Sequence, residues 1–225
     1  MTANARTDTR SATLSDLPAA PLAGHEGFTP PRYKRGQRTT DRLLQSGRRL
    51  LRARPLESVT IQDVCARAHV TTGAFYARFD GKDSYFRAVQ AMALDEIRRG
   101  SIRTVQRVEA AGSLEEAVHA VVRGGRRTVI RIEGVLRATV AQQVGGWDPF
   151  REHARDAARQ LVSRLGALSG LPPSPELSAR ILFAMQFMTS TLVNAALNDP
   201  GPLSVSNRKM DEELTRAFCL YVRAG

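Results

Sequence analysis

The chain has 225 residues, enough for one large domain or a small domain joined to a larger one, and its 42% hydrophobic and 24% charged residues exclude a fibrous or low-complexity protein. Its formal net charge of +11 favours polyanionic partners. The excess is concentrated, because residues 32–54 hold Arg32, Lys34, Arg35, Arg38, Arg42, Arg48, Arg49, Arg52 and Arg54 against Asp41 alone. Cys65 and Cys219 are far apart and each falls within an apolar helical pattern, as buried free thiols do. No stretch approaches the roughly 18–20 uninterrupted apolar residues of a membrane span, and the N-terminus lacks a signal-peptide core. The expectation is a cytoplasmic, reduced protein without a membrane partner.

Residues 1–31 are rich in Thr, Ala, Ser, Pro and Gly, lack periodicity and end in Thr29-Pro30-Pro31, which predicts a disordered arm. From about Arg38, Leu43, Leu44, Leu50 and Leu51 recur at helical spacing until Pro55 closes a first helix. Thr60 then caps a short second helix carrying Ile61, Val64, Cys65 and Ala68 and ending near His69. Thr71 opens a third short helix in which Phe75 and Phe79 share a face. Asp80-Gly81 breaks it, and Lys82 begins a longer helix.

Helices continue to the end of the chain. Ser113 with Glu116 forms a capping-box pattern, Asp148-Pro149 and Ser174-Pro175 each give a cap followed by proline, and Ser206 precedes a helix over 207–223. No strand pattern of useful length and no internal repeat is present, so the fold class is all-α. The predicted division is an arm at 1–31, a three-helix helix-turn-helix domain at 32–86 and a larger helical ligand-binding and dimerisation domain at 87–225.

Two short helices joined by a tight turn and anchored by a following helix lay the second into the major groove of DNA. With Phe75 and Phe79 inward, Thr72, Gly73, Tyr76 and Ala77 lie outward, as small or hydrogen-bonding groups that permit close approach to base edges. Tyr76 suits a phosphate oxygen at the groove edge. Lys82, at a helix N-terminus, adds its ammonium to free N–H groups that already favour an anion. The aromatic residues alone also suit the core of a small helical domain. Beside the basic run, in which Arg38 is a candidate phosphate contact, the combination favours DNA.

The run Thr60-Ile61-Gln62-Asp63-Val64-Cys65-Ala66-Arg67-Ala68-His69-Val70-Thr71-Thr72-Gly73-Ala74-Phe75-Tyr76-Ala77-Arg78-Phe79-Asp80-Gly81-Lys82 is similar to the N-terminal domain of the tetracycline-repressor (TetR) family, over about residues 38–90. The resemblance implies that Thr60, Tyr76 and Lys82 contact phosphates, that Thr71, Thr72 and Gly73 lie against bases or the adjacent backbone, and that Arg78 faces the DNA. Two departures stand out. His69 replaces the glycine common in the turn, and histidine tolerates a left-handed conformation. Thr72 replaces a frequent Lys or Arg, which alters the bases read.

For the C-terminal part the resemblance implies a helical body in which helices 175–197 and 207–223 pair with their symmetry mates. The first of these is apolar nearly all round and must be buried on more than one side. A small-molecule effector site would fall among the middle helices, with Trp147, Phe150, Phe183 and Met185 as candidates, and with Arg137 if it faces inward. His25, His69, His119 and His153 lack metal-ligand spacing, and there is no Gly-x-Ser-x-Gly elbow, phosphate-binding glycine loop or dinucleotide fingerprint. Neither an enzyme, a metal nor a cofactor is expected. The reading is a homodimeric repressor of a palindromic operator, released by a small molecule. The alternatives are nonspecific DNA binding, control by a protein partner, and a ligand-binding enzyme that kept the DNA head.

Overall fold

The computed structural model describes Leu22, residues 24–142 and residues 147–224, and within these the chain is built of helices. They are α1 (Lys34–Ala53), α2 (Ile61–Ala68), α3 (Thr72–Tyr76), α4 (Lys82–Ala110), α5 (Leu114–Ala141), α6 (Asp148–Leu168), α7 (Pro175–Asn198) and α8 (Lys209–Arg223), with a 3-10 turn at Leu56–Ser58. The all-α expectation holds. Several caps are the ones read from the sequence: Thr60 for α2, Ser113 for α5 and Ser174, followed by Pro175, for α7.

Other boundaries differ. Helix α1 starts at Lys34, a turn earlier than the leucine spacing indicates, because its first turns bury no large apolar group; Thr40 fills the inward position, its hydroxyl donating to the Gly36 carbonyl. Asp148 is the first residue of α6 rather than its cap, and α8 begins at Lys209 rather than directly after Ser206.

The expected disordered arm needs correction for its second half; most of its first 23 residues lie outside the described ones. Residues 24–31 form a strap across the end of the reading segment. The Thr29 amide donates to the Arg78 carbonyl (2.8 Å) and the Asp80 amide to the Gly27 carbonyl (3.1 Å). Phe28 stacks on Phe79 at 5.4 Å, and Leu22 is buried. Two apolar side chains and two backbone bonds order a segment whose composition otherwise favours disorder.

The core runs unbroken from the N-terminal helices into the C-terminal bundle. Helix α4 belongs to both regions, with Tyr85, Phe86 and Val89 under the N-terminal helices and Val108 in the bundle. A second link is made by α1 on α5, where Gly134 allows the helices to touch at the backbone: a Cβ there would lie 2.5 Å from the Leu51 carbonyl carbon and oxygen. Around it Arg48 pairs with Glu96 (2.6 Å) and Arg52 donates to the Arg131 carbonyl (3.2 Å).

In the bundle, Arg126 of α5 and Asp211 of α8 form a buried two-point ion pair at 2.6 and 3.0 Å, with a third bond from Arg126 to the Val205 carbonyl at 3.2 Å. Helix α7 packs on α5, α6 and α8. By length and composition it is the one helix among the described residues apolar enough to cross a membrane, with a mean hydropathy of 1.2, but Glu176, Arg180, Gln186 and Thr189 interrupt it, and its buried Ile181, Ala184, Met188 and Leu192 face the bundle. Its outer face exposes Leu182, Phe183 and Phe187 beside Leu220 and Tyr221 of α8.

Candidate nucleic-acid interface

The presentation of α3 begins with the cap of α2. The Thr60 amide donates to the Asp63 carboxylate (3.0 Å), the Asp63 amide donates to the Thr60 hydroxyl (3.1 Å), and the Thr60 hydroxyl donates to the same carboxylate (2.8 Å). Arg54 pairs with Asp63 at 3.1 Å. The Thr60 amide and hydroxyl, ahead of Arg54, hold the Asp63 carboxyl below its ordinary range. At the other end of α2, His69 takes a left-handed conformation (φ 54°, ψ 50°), and the Val70 amide donates to the Cys65 carbonyl at 3.0 Å. This turn directs the chain into α3.

Helix α3 has only five residues, so its own hydrogen bonds cannot hold it. Aromatic packing does. Phe75 and Phe79 are fully buried, with ring centroids 5.3 Å apart, and Tyr85 lies 5.2 Å from the first and 5.1 Å from the second. The Tyr85 hydroxyl donates to the Leu43 carbonyl of α1 at 2.7 Å. Burial pushes its phenol far above the ordinary range, so it stays a neutral donor. With Phe75 inward, Thr71, Thr72, Gly73, Tyr76 and Ala77 are exposed, Tyr76 at 57%. The Thr71 hydroxyl accepts from the Ala74 amide (3.2 Å), which leaves its own hydrogen to donate. At Gly73 a Cβ would meet nothing closer than 3.8 Å, so the fold itself does not demand glycine there.

The remaining candidates divide. Arg38 is exposed on α1. Arg78 is half-buried; its guanidinium lies against Gly36 of α1 and donates to the Ala77 carbonyl at 2.9 Å. Lys82 is also half-buried, its ammonium donating to the Glu57 carbonyl at 3.3 Å. The Thr60 hydroxyl is engaged in its cap. The exposed candidates are therefore Thr60, Thr71, Thr72, Gly73 and Tyr76, with Arg38 on the neighbouring helix; of these Thr60 has its hydroxyl hydrogen committed to Asp63.

Sequence reasoning missed the strap. Its one signal was Phe28, a lone aromatic between Gly27 and the Pro30-Pro31 pair.

The five candidates for an effector site are not brought together. Trp147 and Phe150 touch edge to face at 5.9 Å, whereas Met185 is buried in the core and Phe183 lies on the outer face of α7, 5.5 Å from Tyr221. Arg137 is exposed and paired with Glu133. Among the described residues no cluster of three or more His, Cys, Asp or Glu side chains could hold a metal ion.

Residues 43–89 match the family model of the bacterial regulatory proteins, tetR family. The chain carries a TetR-family N-terminal domain. Helices α2 and α3 are its helix-turn-helix, and the fold of the whole chain is similar to that of solved structures that include TetR-family regulators. A regulator of the TetR/AcrR family from Thermobifida fusca is 20% identical, with 82% of this chain and 96% of that chain covered, at a TM-score of 0.53. AibR, solved with isovaleryl coenzyme A and operator DNA, is 15% identical over 81% of this chain and 96% of that one, at a TM-score of 0.54. The superantigen PfiT is 17% identical over 85% and 97%, at 0.57. Identities this low show the fold alone. No curated protein sequence matches the chain.

Proposed function

We propose that this protein is a homodimeric transcriptional repressor that binds a palindromic operator through α3 and releases it when a small molecule binds the helical body. The observation that carries the reading is the division of α3: Phe75 is fully buried, while Thr71, Thr72, Gly73 and Tyr76 face outward as groups suited to base edges and phosphate. Its place in a TetR-family domain supports the same role. Thr72 and Gly73 discriminate among sequences, and Tyr76 and Arg38 fix register on phosphate. Thr60, Arg78 and Lys82 contribute to DNA binding chiefly by holding the second and third helices in place.

Dimerisation is supported by the apolar outer face of α7 and α8, where Leu182, Phe183, Phe187, Leu220 and Tyr221 are exposed. Two such heads must span half-sites about 34–36 Å apart, or a multiple of that. A ligand that favours a different separation weakens operator binding through its differential affinity for the two states. A regulator of this kind acts in the cytoplasm without catalysis.

The test is selection of genomic DNA fragments by the purified protein, followed by measurement of affinity for the recovered palindrome and for random duplex at physiological salt. A ratio of about 10³ or more is expected. A ratio near one sinks the reading and leaves a nonspecific DNA binder.

A further inference from the structure

A second cationic surface lies in the body. Helix α4 is a single rod of 29 residues, about 43 Å long. Arg103 is 21 positions beyond Lys82 and therefore about 31 Å along that rod from the start of α4. There α4 runs against α5 at small residues: Thr104 occupies the space a side chain at Gly124 would need, and Gly100 faces Thr128. This contact sets one side of each helix. Arg103 and Arg107 of α4 project on the side that also carries Glu96, while Arg123 and Arg127 of α5 share the row that ends in Arg131, one turn apart at each step. The Arg131–Glu96 ion pair (3.4 Å) shows that the two rows border the same groove.

All four of Arg103, Arg107, Arg123 and Arg127 are exposed, and among the described residues none has a carboxylate within 4.0 Å. Much of the remaining arginine on the bundle is paired. The acids at the two ends of the groove are already engaged, Glu96 by Arg48 and Glu116 by the Gly112 amide (3.0 Å). Arg123 above all, then desolvation, Arg107, Arg126 and Arg131, hold the Arg127 guanidinium below its ordinary value, which places like charges around it. Helices in close contact fix this repulsion in place, and a multivalent anion relieves it.

We propose that the groove between α4 and α5 binds a small ligand carrying two or more phosphate groups, bridged by Arg103 and Arg107 on one helix and by Arg123 and Arg127 on the other. Planar guanidinium forks match phosphate oxygens in pairs. A compact ligand fits better than a second duplex because the cationic stretch is short and closed by acids at both ends. Binding draws together α4, which continues into the N-terminal domain, and α5, which touches α1 at Gly134; the ligand thereby alters operator affinity. That regulatory part rests on the operator-binding reading above.

The experiment is calorimetric titration of the full chain with inorganic tripolyphosphate at constant ionic strength, alongside measurement of affinity for the selected operator. Saturable binding at one ligand per chain is expected, weakened at least tenfold in Arg123→Gln/Arg127→Gln. The variant Arg151→Gln/Arg155→Gln, which removes equal charge from α6, should change it less than twofold. Saturation should shift operator affinity at least threefold in the parent protein and leave it unchanged in Arg123→Gln/Arg127→Gln. Absence of saturable binding, or equal loss in both variants, overturns the site. Saturable binding with unaltered operator affinity overturns the coupling. Random-duplex binding that survives Tyr76→Ala but is lost in Arg123→Gln/Arg127→Gln makes the groove a DNA contact and overturns the small-ligand assignment. Tripolyphosphate binding by a chain that selects no DNA sequence upholds the site and overturns the operator reading.

Discussion

The Tyr85 hydroxyl lies against α1 where Gly47 leaves room for it, donating to the Leu43 carbonyl at 2.7 Å. The ring beneath it carries both Phe75 and Phe79, so this contact joins the first helix to the reading helix. Gly47→Ala puts a methyl group into the hydroxyl and should destabilise the protein by about 1–3 kcal/mol. Tyr85→Phe should cost about 1 kcal/mol through the lost hydrogen bond. Because the two changes share one contact, the double variant should be less destabilised than the sum of the singles, as read by urea unfolding. Strict additivity would show that Gly47 and Tyr85 do not act on each other.

Arg126 and Asp211 are buried together, and removal of one leaves the other charged and unpaired. Asp211→Ala is expected to destabilise by about 3–5 kcal/mol, whereas Arg126→Met/Asp211→Leu, which removes both charges, should recover much of that loss. Denaturant midpoints of the three proteins decide it. A double variant as unstable as Asp211→Ala would mean that an unpaired buried charge is not what destabilises the single variant.

Tyr76 is largely exposed and Thr72 makes no side-chain hydrogen bond among the described residues, so neither substitution should move the unfolding temperature appreciably. Tyr76→Ala should weaken operator and random duplex alike. Thr72→Ala should change the ranking of operator variants, by about 1–3 kcal/mol at the base it reads. Fluorescence anisotropy against a panel of single-base variants separates the two. Unchanged binding by both proteins would place the reading surface elsewhere.

The Asp63 carboxyl has a lowered folded-state pKa because Thr60 and Arg54 stabilise its charged form. A depressed folded pKa contributes stability that is present above the unfolded value and is lost as pH falls through the folded one. Stability should therefore decline on acidification below the ordinary carboxylate range. Asp63→Asn should show a shallower decline, while Glu57→Gln, which removes a nearby exposed acid, should follow the parent protein. Unfolding midpoints from pH 6 to pH 2 would contradict this if Asp63→Asn and the parent ran parallel.

Local chemistry explains what could be read in advance. The caps at Thr60, Ser113 and Ser174, the left-handed turn at His69 and the Phe75/Phe79 face each depend on residues within a few positions of one another, and all are visible as spacing. The directions of Arg78 and Lys82 depend on Gly36 and on the Glu57 carbonyl, which lie on other elements. The strap depends on Phe28 finding Phe79, 51 positions away. An effector site is harder still, since Trp147, Phe183 and Met185 are alike in character yet occupy a loop end, an outer face and the core; apolarity alone does not distinguish those fates.

The contact of Gly134 with Leu51 carries a mechanical consequence. Where helices meet through long side chains, a displacement of one is partly absorbed by rotamer changes before it reaches the other. At Gly134 there is no side chain to yield, and close-packed backbone is nearly incompressible. Any ligand that moves α5 toward α1 must therefore push the first helix bodily rather than deform the joint. The missing methyl group thus leaves α1 and α5 joined at a crossing that transmits displacement without loss to side-chain rearrangement.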